Sequence, residues 1–269
     1  MAGLLLDMGL NVPSVAEADF ERGFLLMSDL GSVQYLHRIN AGSPDVPSLY
    51  EDALDALSVM QVKGGAIQGE LPPYDEKMLR FELSLFKDWL CEKHLGLHFS
   101  SDEEGDWQSV CDVLVDSALG QERVFVHRDF HSRNLMVVDD NNPGILDFQD
   151  AVEGPLTYDL VSLVKDCYVK WPSEKILQGV DRFYHQSELA GKRSQSEFTR
   201  DFDLMGMQRH LKACGIFSRL LNRDGKPGYM QDVPRTLSYV VDAAPLYEQT
   251  RFIGEFIEQR VLPALDGSN

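Results

Sequence analysis

Two polar segments, His127-Arg-Asp-Phe-His-Ser-Arg-Asn134 and Asp147-Phe-Gln-Asp150, are the most informative stretches of this sequence. Apolar residues 124–126 come directly before the first stretch and have the period of a β-strand. Between the two stretches, short apolar runs lie on either side of residues 139–144, which read Asp-Asp-Asn-Asn-Pro-Gly and are typical of a turn. The pattern therefore predicts a strand, a polar loop and a β-hairpin, in that order.

The hairpin has a consequence for three oxygen-bearing side chains. Folding it returns Asp147 to the side of Asn134, while Asp129 lies just beyond the preceding strand. Carboxylate and amide oxygens suit a hard cation such as Mg²⁺, whereas zinc would call for more His or Cys. Phosphoryl transfer needs such ligands together with a carboxylate that orients an attacking hydroxyl and accepts its proton.

The alternative interpretation is that His127 and Asp129 merely cap a strand and that Asn134 and Asp147 belong to a turn. An apolar strand that ends in Asp-Phe-x-Asp after a hairpin turn is the context that the kinase motif set requires. This context favours a phosphotransferase enzyme.

The two stretches resemble the catalytic loop and the metal-binding loop of the aminoglycoside phosphotransferase and choline kinase superfamily, distant relatives of protein kinases. The resemblance implies an α+β, protein-kinase-like fold with a truncated N-terminal lobe and a mainly helical C-terminal lobe. It implies ATP and Mg²⁺ as cofactors, Asp129 as the catalytic base, and Asn134 and Asp147 as cofactor-binding metal ligands. It also implies that Asp159 is buried and steadies the catalytic loop by hydrogen bonds.

Phe24-Leu-Leu-Met-Ser-Asp-Leu-Gly31 is similar to the last strand and the hinge of the N-terminal lobe in that superfamily. The resemblance implies that backbone groups near Met27 and Asp29 bind adenine. Residues 1–30 are then the remnant of the small lobe and the hinge, and residues 31–269 form the helical lobe. The strands and the glycine-rich loop that cover the phosphates have no counterpart here, so a misplaced start or a real truncation is expected, with weak nucleotide binding.

Within the superfamily, residues 207–220 and Arg223-Asp-Gly-Lys-Pro-Gly-Tyr229 are similar to bacterial anomeric sugar kinases of cell-wall recycling. That similarity implies ATP-dependent phosphorylation of the anomeric hydroxyl of N-acetylmuramate or N-acetylglucosamine in peptidoglycan recycling. Two alternatives stay open. One is a kinase for another small hydroxylated substrate such as an aminoglycoside, and the other is an inactive, truncated binding module.

Composition excludes other classes of function. The chain has 43 acidic and 25 basic residues and a formal charge of −18, which repels nucleic acid and anionic membranes. The longest apolar runs are too short to span a bilayer, and the N-terminus lacks the basic region of a secretory signal. We therefore expect a cytoplasmic enzyme with small-molecule partners, and its four widely spaced cysteines are predicted to be core thiols.

Periodicity predicts the remaining elements. Residues 15–27 are predicted to form a hairpin after an opening helix, and Ser48 with Glu51 matches a helix-capping box. Further helices are predicted over residues 74–94, 106–119, 157–170, 173–186, 196–221 and 236–265.

Some side chains have two interpretations. His131 either approaches the transferred phosphoryl group or the sugar, or makes a hydrogen bond within its loop. Asp150 is either a further metal-site residue or a cap for the next turn. A basic residue of the 207–220 helix, such as His210 or Lys212, either binds a substrate carboxylate or belongs to an ordinary helix face.

Overall fold

A computed structural model describes residues 1–65 and 69–267 of the chain. The fold is α+β and mainly helical, as predicted. Its strands are β1 Val15–Asp19, β2 Phe24–Met27, β3 Arg123–Val126, β4 Leu135–Met136, β5 Gly144–Ile145 and β6 Val152–Pro155. Its α-helices are α1 Ala2–Asp7, α2 Tyr35–Asn40, α3 Val46–Gly64, α4 Glu76–Leu85, α5 Ser101–Leu119, α6 Tyr158–Val164, α7 Ser173–Gln186, α8 Gln195–Asp224, α9 Val233–Ala243, α10 Arg251–Phe256 and α11 Leu262–Gly267.

The chain divides into two compact units. Unit 1 consists of Met1–Pro73 and Glu122–Gln195, and unit 2 of Tyr74–Gln121 and Ser196–Asn269. The six strands named above, and residues 127–134 and 147–150, belong to unit 1. The predicted boundary near residue 30 separates the remnant of the small lobe and the hinge from the helical lobe. That boundary stays a prediction.

In unit 1, the predicted hairpin follows helix α1. Strands β1 and β2 pair antiparallel, with Asp19 opposite Phe24, across a turn at residues 20–23. Gly23 has φ +74°, which favours glycine. The predicted hairpin is therefore confirmed.

The second predicted hairpin lies at the centre of unit 1. Strands β4 and β5 pair antiparallel on either side of the predicted turn. Outside them, Asn11 bridges Gly144 in parallel orientation and Gln34 bridges Met136 in antiparallel orientation. Segments from the N-terminal part of the chain therefore flank the hairpin on both sides.

A third strand pair, β3 with β6, supports the polar loop between β3 and β4. Helix α3 packs on β3 at Gly64, where an added Cβ would lie only 2.5 Å from Cβ of Phe125. Only glycine allows this close approach, so α3 fixes the position of the strand that leads into the loop.

Unit 2 is helical. Helix α4 continues as a π-helix over Phe86–His94, so the helix predicted over residues 74–94 is observed from Glu76, two residues later. In the core of the unit, the Glu82 carboxylate accepts hydrogen bonds from Tyr74 Oη and Gln208 Nε2 and lies 3.2 Å from Nζ of Lys212. Hydrogen bonds and an opposite charge offset much of the desolvation penalty of this buried carboxylate.

Several predicted helix ends are wrong. Helix α3 begins at Val46 rather than at Ser48, because Pro47 suits the first turn, and Ser48 Oγ donates to the Asp45 carbonyl instead of capping. Helix α5 begins at Ser101, where Ser100 and Glu103 form a reciprocal capping box. Three further predictions need correction. The helix predicted over residues 157–170 ends earlier, as α6 at Val164, and the one predicted over 196–221 is longer, as α8 Gln195–Asp224. The single helix predicted over 236–265 is interrupted after α9.

Burial agrees with the cysteine prediction, since all four are free and buried. In the part of the chain that the structure describes, no helix is long and apolar enough to cross a membrane.

Candidate active site

The central hairpin places the residues of the two stretches side by side. Leu146 N–H donates to the Asn134 carbonyl at 2.9 Å, which closes the pair of strands at the end where Asp147 follows. Asn134 Nδ2 donates to the backbone oxygen of Asp129 at 3.0 Å and to Oδ2 of Asp147 at 3.2 Å. One side-chain amide thus joins the loop of Asp129 to the loop of Asp147, and the three predicted residues meet.

The two acids at this position are accessible to ligands. The Asp129 side chain is 43% exposed, and Asp147 is also exposed. Asp147 has φ +68°, a left-handed conformation that Asp tolerates better than most residues. Its Oδ1 accepts a hydrogen bond of 2.7 Å from Gln149 Nε2. The turn after β5 therefore presents a carboxylate whose direction is fixed by two amides.

A buried carboxylate holds the first half of the loop. Asp159, in the first turn of α6, is 0% exposed and accepts hydrogen bonds from the backbone N–H groups of His127 at 2.6 Å and Arg128 at 3.0 Å. Arg128 has φ +76°, so the chain turns sharply just before Asp129. The predicted role of Asp159 in steadying this loop is confirmed.

His127 lies entirely in the core beneath the loop. Its Nδ1 accepts a hydrogen bond of 3.3 Å from the backbone N–H of Asp129. Burial lowers the pKa of His127 from 6.5 to about 4, because desolvation of the charged imidazole outweighs the attraction of Asp129 and Asp147. The imidazole is therefore neutral near pH 7 and serves as an acceptor for the loop.

This burial predicts an acid-sensitive fold. As pH falls from about 6.5 towards 4, the unfolded chain binds a proton at His127 that the folded chain excludes, so unfolding becomes easier. From the 1.36 kcal/mol per pKa unit, we expect roughly 3 kcal/mol of lost stability from this group. His127→Asn keeps an acceptor but does not titrate, so its stability should fall less over that range in urea unfolding.

The control for this prediction is His185→Asn, because the His185 side chain is 64% exposed. It should follow the pH dependence of the natural protein. Equal pH slopes for the His127 variant and the natural protein would contradict the assignment.

The remaining polar residues of the loop face one another. His131 Nε2 lies 3.9 Å from Oδ1 of Asp129, and the His131 ring makes an edge contact with Tyr168, at 5.3 Å between centroids. The Arg133 guanidinium lies 4.6 Å from the centre of the Tyr168 ring. Asp150 is exposed. His131 thus lies beside the acid at the centre of the site.

The 207–220 helix, part of α8, does not present the predicted cations as substrate ligands. Lys212 forms an ion pair with the buried Glu82, and His210 Nδ1 bonds the Gly206 carbonyl of its own helix. Both side chains are buried. The geometry favours the interpretation of an ordinary, core-facing helix for these two residues.

The hinge segment with Met27 and Asp29 is attached to the central hairpin. Ser28 N–H donates to the Ser14 carbonyl, and Asp29 Oδ1 accepts from Gly31 N–H at 2.8 Å, which forms a tight turn. Leu30, the residue before Gly31, packs on Gly144. A Cβ atom added to Gly144 would lie 3.0 Å from the Leu30 side chain. The segment after β2 therefore runs directly beside β5.

Asn134 and Asp147 suit a Mg²⁺ ion. In the described residues, no group of three or more His, Cys, Asp or Glu could hold a metal. Mg²⁺ in phosphoryl-transfer sites usually takes one or two protein ligands and fills its other positions with water and phosphate oxygens. Asn134 donates through Nδ2, which leaves Oδ1 on the other side of its amide as a possible ligand beside the Asp147 carboxylate.

Nothing in the sequence singles out Gln149 or Asp166. The first aligns the Asp147 carboxylate, and the second accepts a hydrogen bond of 3.0 Å from Ser132 N–H in the polar loop. Asp166 lies 34 positions from Ser132 along the chain, so no local pattern could reveal this contact.

Comparisons with known proteins agree with this geometry. Residues 3–197 match the model of the phosphotransferase enzyme family. A Pseudomonas aeruginosa protein named N-acetylmuramate/N-acetylglucosamine kinase is 46% identical over 96% of this chain, which spans 75% of the relative's length.

Solved structures show the same fold. The choline kinase of Streptococcus pneumoniae aligns with a TM-score of 0.60 and 13% identity, over 88% of this chain and 76% of that chain. An ADP-bound aminoglycoside phosphotransferase aligns with a TM-score of 0.56 and 14% identity, over 88% and 79% of the two chains. The predicted protein-kinase-like fold is confirmed.

Proposed function

Because the chain belongs to the phosphotransferase enzyme family, we propose that it transfers a phosphoryl group from ATP to the anomeric hydroxyl of N-acetylmuramate or N-acetylglucosamine. One observation carries this proposal. The Asn134 amide bonds both Asp129 and Asp147 in a chain that is 46% identical to a protein named N-acetylmuramate/N-acetylglucosamine kinase. The product is a sugar 1-phosphate, which fits a role in peptidoglycan recycling. Because ATP is the donor, the proposed location is the cytoplasm.

In this reaction, the exposed Asp129 carboxylate orients the sugar hydroxyl and accepts its proton as the oxygen attacks the γ-phosphorus of ATP, whose bond to the bridging oxygen breaks and releases ADP. Asp159 holds the loop through the backbone N–H groups of His127 and Arg128, the two residues before Asp129, so the carboxylate keeps its direction without being buried. Asn134 and Asp147 are the residues that would hold Mg²⁺, which would neutralise charge on the phosphates of ATP. The Asn134 amide bonds the Asp129 carbonyl and the Asp147 carboxylate, so it joins the proposed base to the proposed metal ligand.

Adenine is proposed to bind at backbone groups near Met27 and Asp29. The Asp29 side chain is occupied by its own turn, so recognition at this point uses the main chain. The ADP bound to a structural neighbour supports a purine nucleotide as the donor in this fold. In this proposal, residues 1–30 supply the small lobe and hinge, and residues 31–269 supply the loops that perform the transfer.

A transfer assay tests the proposal. The chain would be incubated with ATP and Mg²⁺ and with N-acetylmuramate, N-acetylglucosamine or a panel of aminoglycosides, and the products identified by phosphorus NMR. We expect an anomeric phosphate on one or both sugars and no transfer once Mg²⁺ is chelated.

A parallel measurement of ATP binding makes a negative result informative. ATP binding without transfer to any acceptor would support a binding module instead, and transfer to aminoglycosides alone would replace the sugar with that class. Either outcome overturns the proposed function.

A further inference from the structure

We propose that Asp166 and Tyr168 are positioning residues that hold the second half of the catalytic loop, His127–Asn134. The inference rests on the proposed function, since the loop matters for turnover only if Asp129 acts on the acceptor. The two residues lie between α6 and α7 and touch the loop at three successive positions, 131 to 133.

Asp166 provides a second buried anchor. Its side chain is 0% exposed, with Oδ2 accepting from Ser132 N–H at 3.0 Å and Oδ1 accepting from Tyr168 N–H at 2.8 Å. A buried carboxylate is unfavourable unless hydrogen bonds stabilise its charge, and charge-assisted bonds to backbone N–H groups are among the stronger ones. Asp166 therefore fastens the loop and the Tyr168 backbone to the same carboxylate.

The two anchors lie at opposite ends of one short helix. Asp159 is in the first turn of α6, Tyr158–Val164, and Asp166 lies two residues after its last turn. The first bonds residues 127 and 128 of the loop, and the second bonds residue 132. Asp129, whose side chain is 43% exposed, thus lies between the two loop segments that these carboxylates hold.

Ser132 is fixed through both of its backbone polar groups. Its N–H donates to Asp166, and its carbonyl accepts from Leu36 N–H at 3.0 Å, in the first turn of α2. Ser132 itself is 0% exposed. Asn134 follows two residues later, so a shift at Ser132 would move the amide that joins Asp129 to Asp147.

Tyr168 adds contacts through its ring. The ring meets the edge of His131 at 5.3 Å between centroids and carries the Arg133 guanidinium at 4.6 Å from its centre. An aromatic edge contact and a cation–π contact both favour the observed positions of the side chains they join. His131 in turn lies 3.9 Å from the Asp129 carboxylate. Tyr168 thereby limits the movement of two loop side chains, one of which neighbours the proposed base.

Variants of Tyr168 separate this role from packing. Tyr168→Phe keeps the ring and loses the hydroxyl that hydrogen-bonds with Arg133, so its kcat should fall less than that of Tyr168→Leu, which removes the ring and should lower kcat about tenfold. The KM values for ATP and sugar should change less than kcat in both. The matched control is Tyr184→Leu, because Tyr184 also makes an edge contact with a histidine, His185, at 5.4 Å, but in α7.

Asp166→Ala tests the anchor itself. It should lower kcat at least about tenfold and speed hydrogen exchange in the peptide that contains residues 127–134. Exchange is read in the folded chain without substrate, so the anchor is tested even if no sugar is phosphorylated and the proposed function fails. If Asp166→Ala does not fold, Tyr168→Leu carries the same two measurements.

The expected pattern is a fall in kcat and faster loop exchange in Asp166→Ala and Tyr168→Leu but not in Tyr184→Leu. Unchanged kcat and exchange in folded Tyr168→Leu would overturn the proposal. Equal losses in Tyr184→Leu would overturn it as well, because the effect would then be a general loss of stability. In an active enzyme, faster exchange with unchanged kcat would also contradict it.

Discussion

Asp129→Asn should lower kcat by about 10³ while leaving the fold and ATP binding intact, because general-base catalysis typically contributes 10²–10⁴. The Asp129 side chain is 43% exposed, and the hydrogen bonds that its backbone N–H and carbonyl make with His127 and Asn134 are kept in the variant. Asparagine has nearly the same shape and can still orient a hydroxyl, but it cannot accept the proton. The loss should therefore be confined to turnover.

Two comparisons make this result specific. Asp147→Asn should weaken Mg²⁺-dependent ATP binding, since it removes the charge of a proposed metal ligand, so the two variants should fail in different measurements. Asp139→Asn, in the exposed turn of the same hairpin, should behave like the natural protein. Calorimetric ATP titration and initial rates would distinguish the three. Full activity in Asp129→Asn would remove Asp129 as the base.

The sequence was sufficient for the local geometry of the site. Strand periodicity and the Asn-Pro-Gly turn are local sequence signals. The hairpin that pairs Leu135 with Ile145 can therefore be predicted from the residues within and beside it. The side-by-side placement of Asn134 and Asp147 is a direct consequence of that pairing. The role of Asp159, by contrast, depended on family resemblance, because its partner His127 is 32 positions away.

Tertiary contacts of long sequence separation explain what local patterns could not reveal. Lys212 reads as a cation on a helix face, but its charge is matched by Glu82 from a distant helix of the same unit. The sequence predicts a capping box at Ser48 and Glu51, but Pro47 also favours a place in the first turn of a helix. The helix begins at Val46, with Pro47 in its first turn. Local signals compete at such positions, and packing decides between them.

Replacing Asp159 should produce the largest loss of stability. The carboxylate is 0% exposed and is the acceptor for two backbone N–H groups, those of His127 and Arg128. In Asp159→Ala both donors lose that acceptor, and each buried unsatisfied group costs about 1–3 kcal/mol, or about 2–6 kcal/mol together. Domains are typically stable by only about 5–15 kcal/mol, so a large part of the chain would be unfolded at moderate urea concentrations.

Asp159→Asn should not rescue stability, because the amide offers one acceptor and turns a donor towards the second N–H group. Urea unfolding of both variants would be compared with Asp181→Asn, whose side chain is 58% exposed and should matter little. Stability of Asp159→Ala within 1 kcal/mol of the natural protein would contradict the anchoring role. Since Asp129→Asn should keep its stability and Asp159→Ala should lose much of it, the comparison separates the acid that acts on the acceptor from the acid that holds it in position.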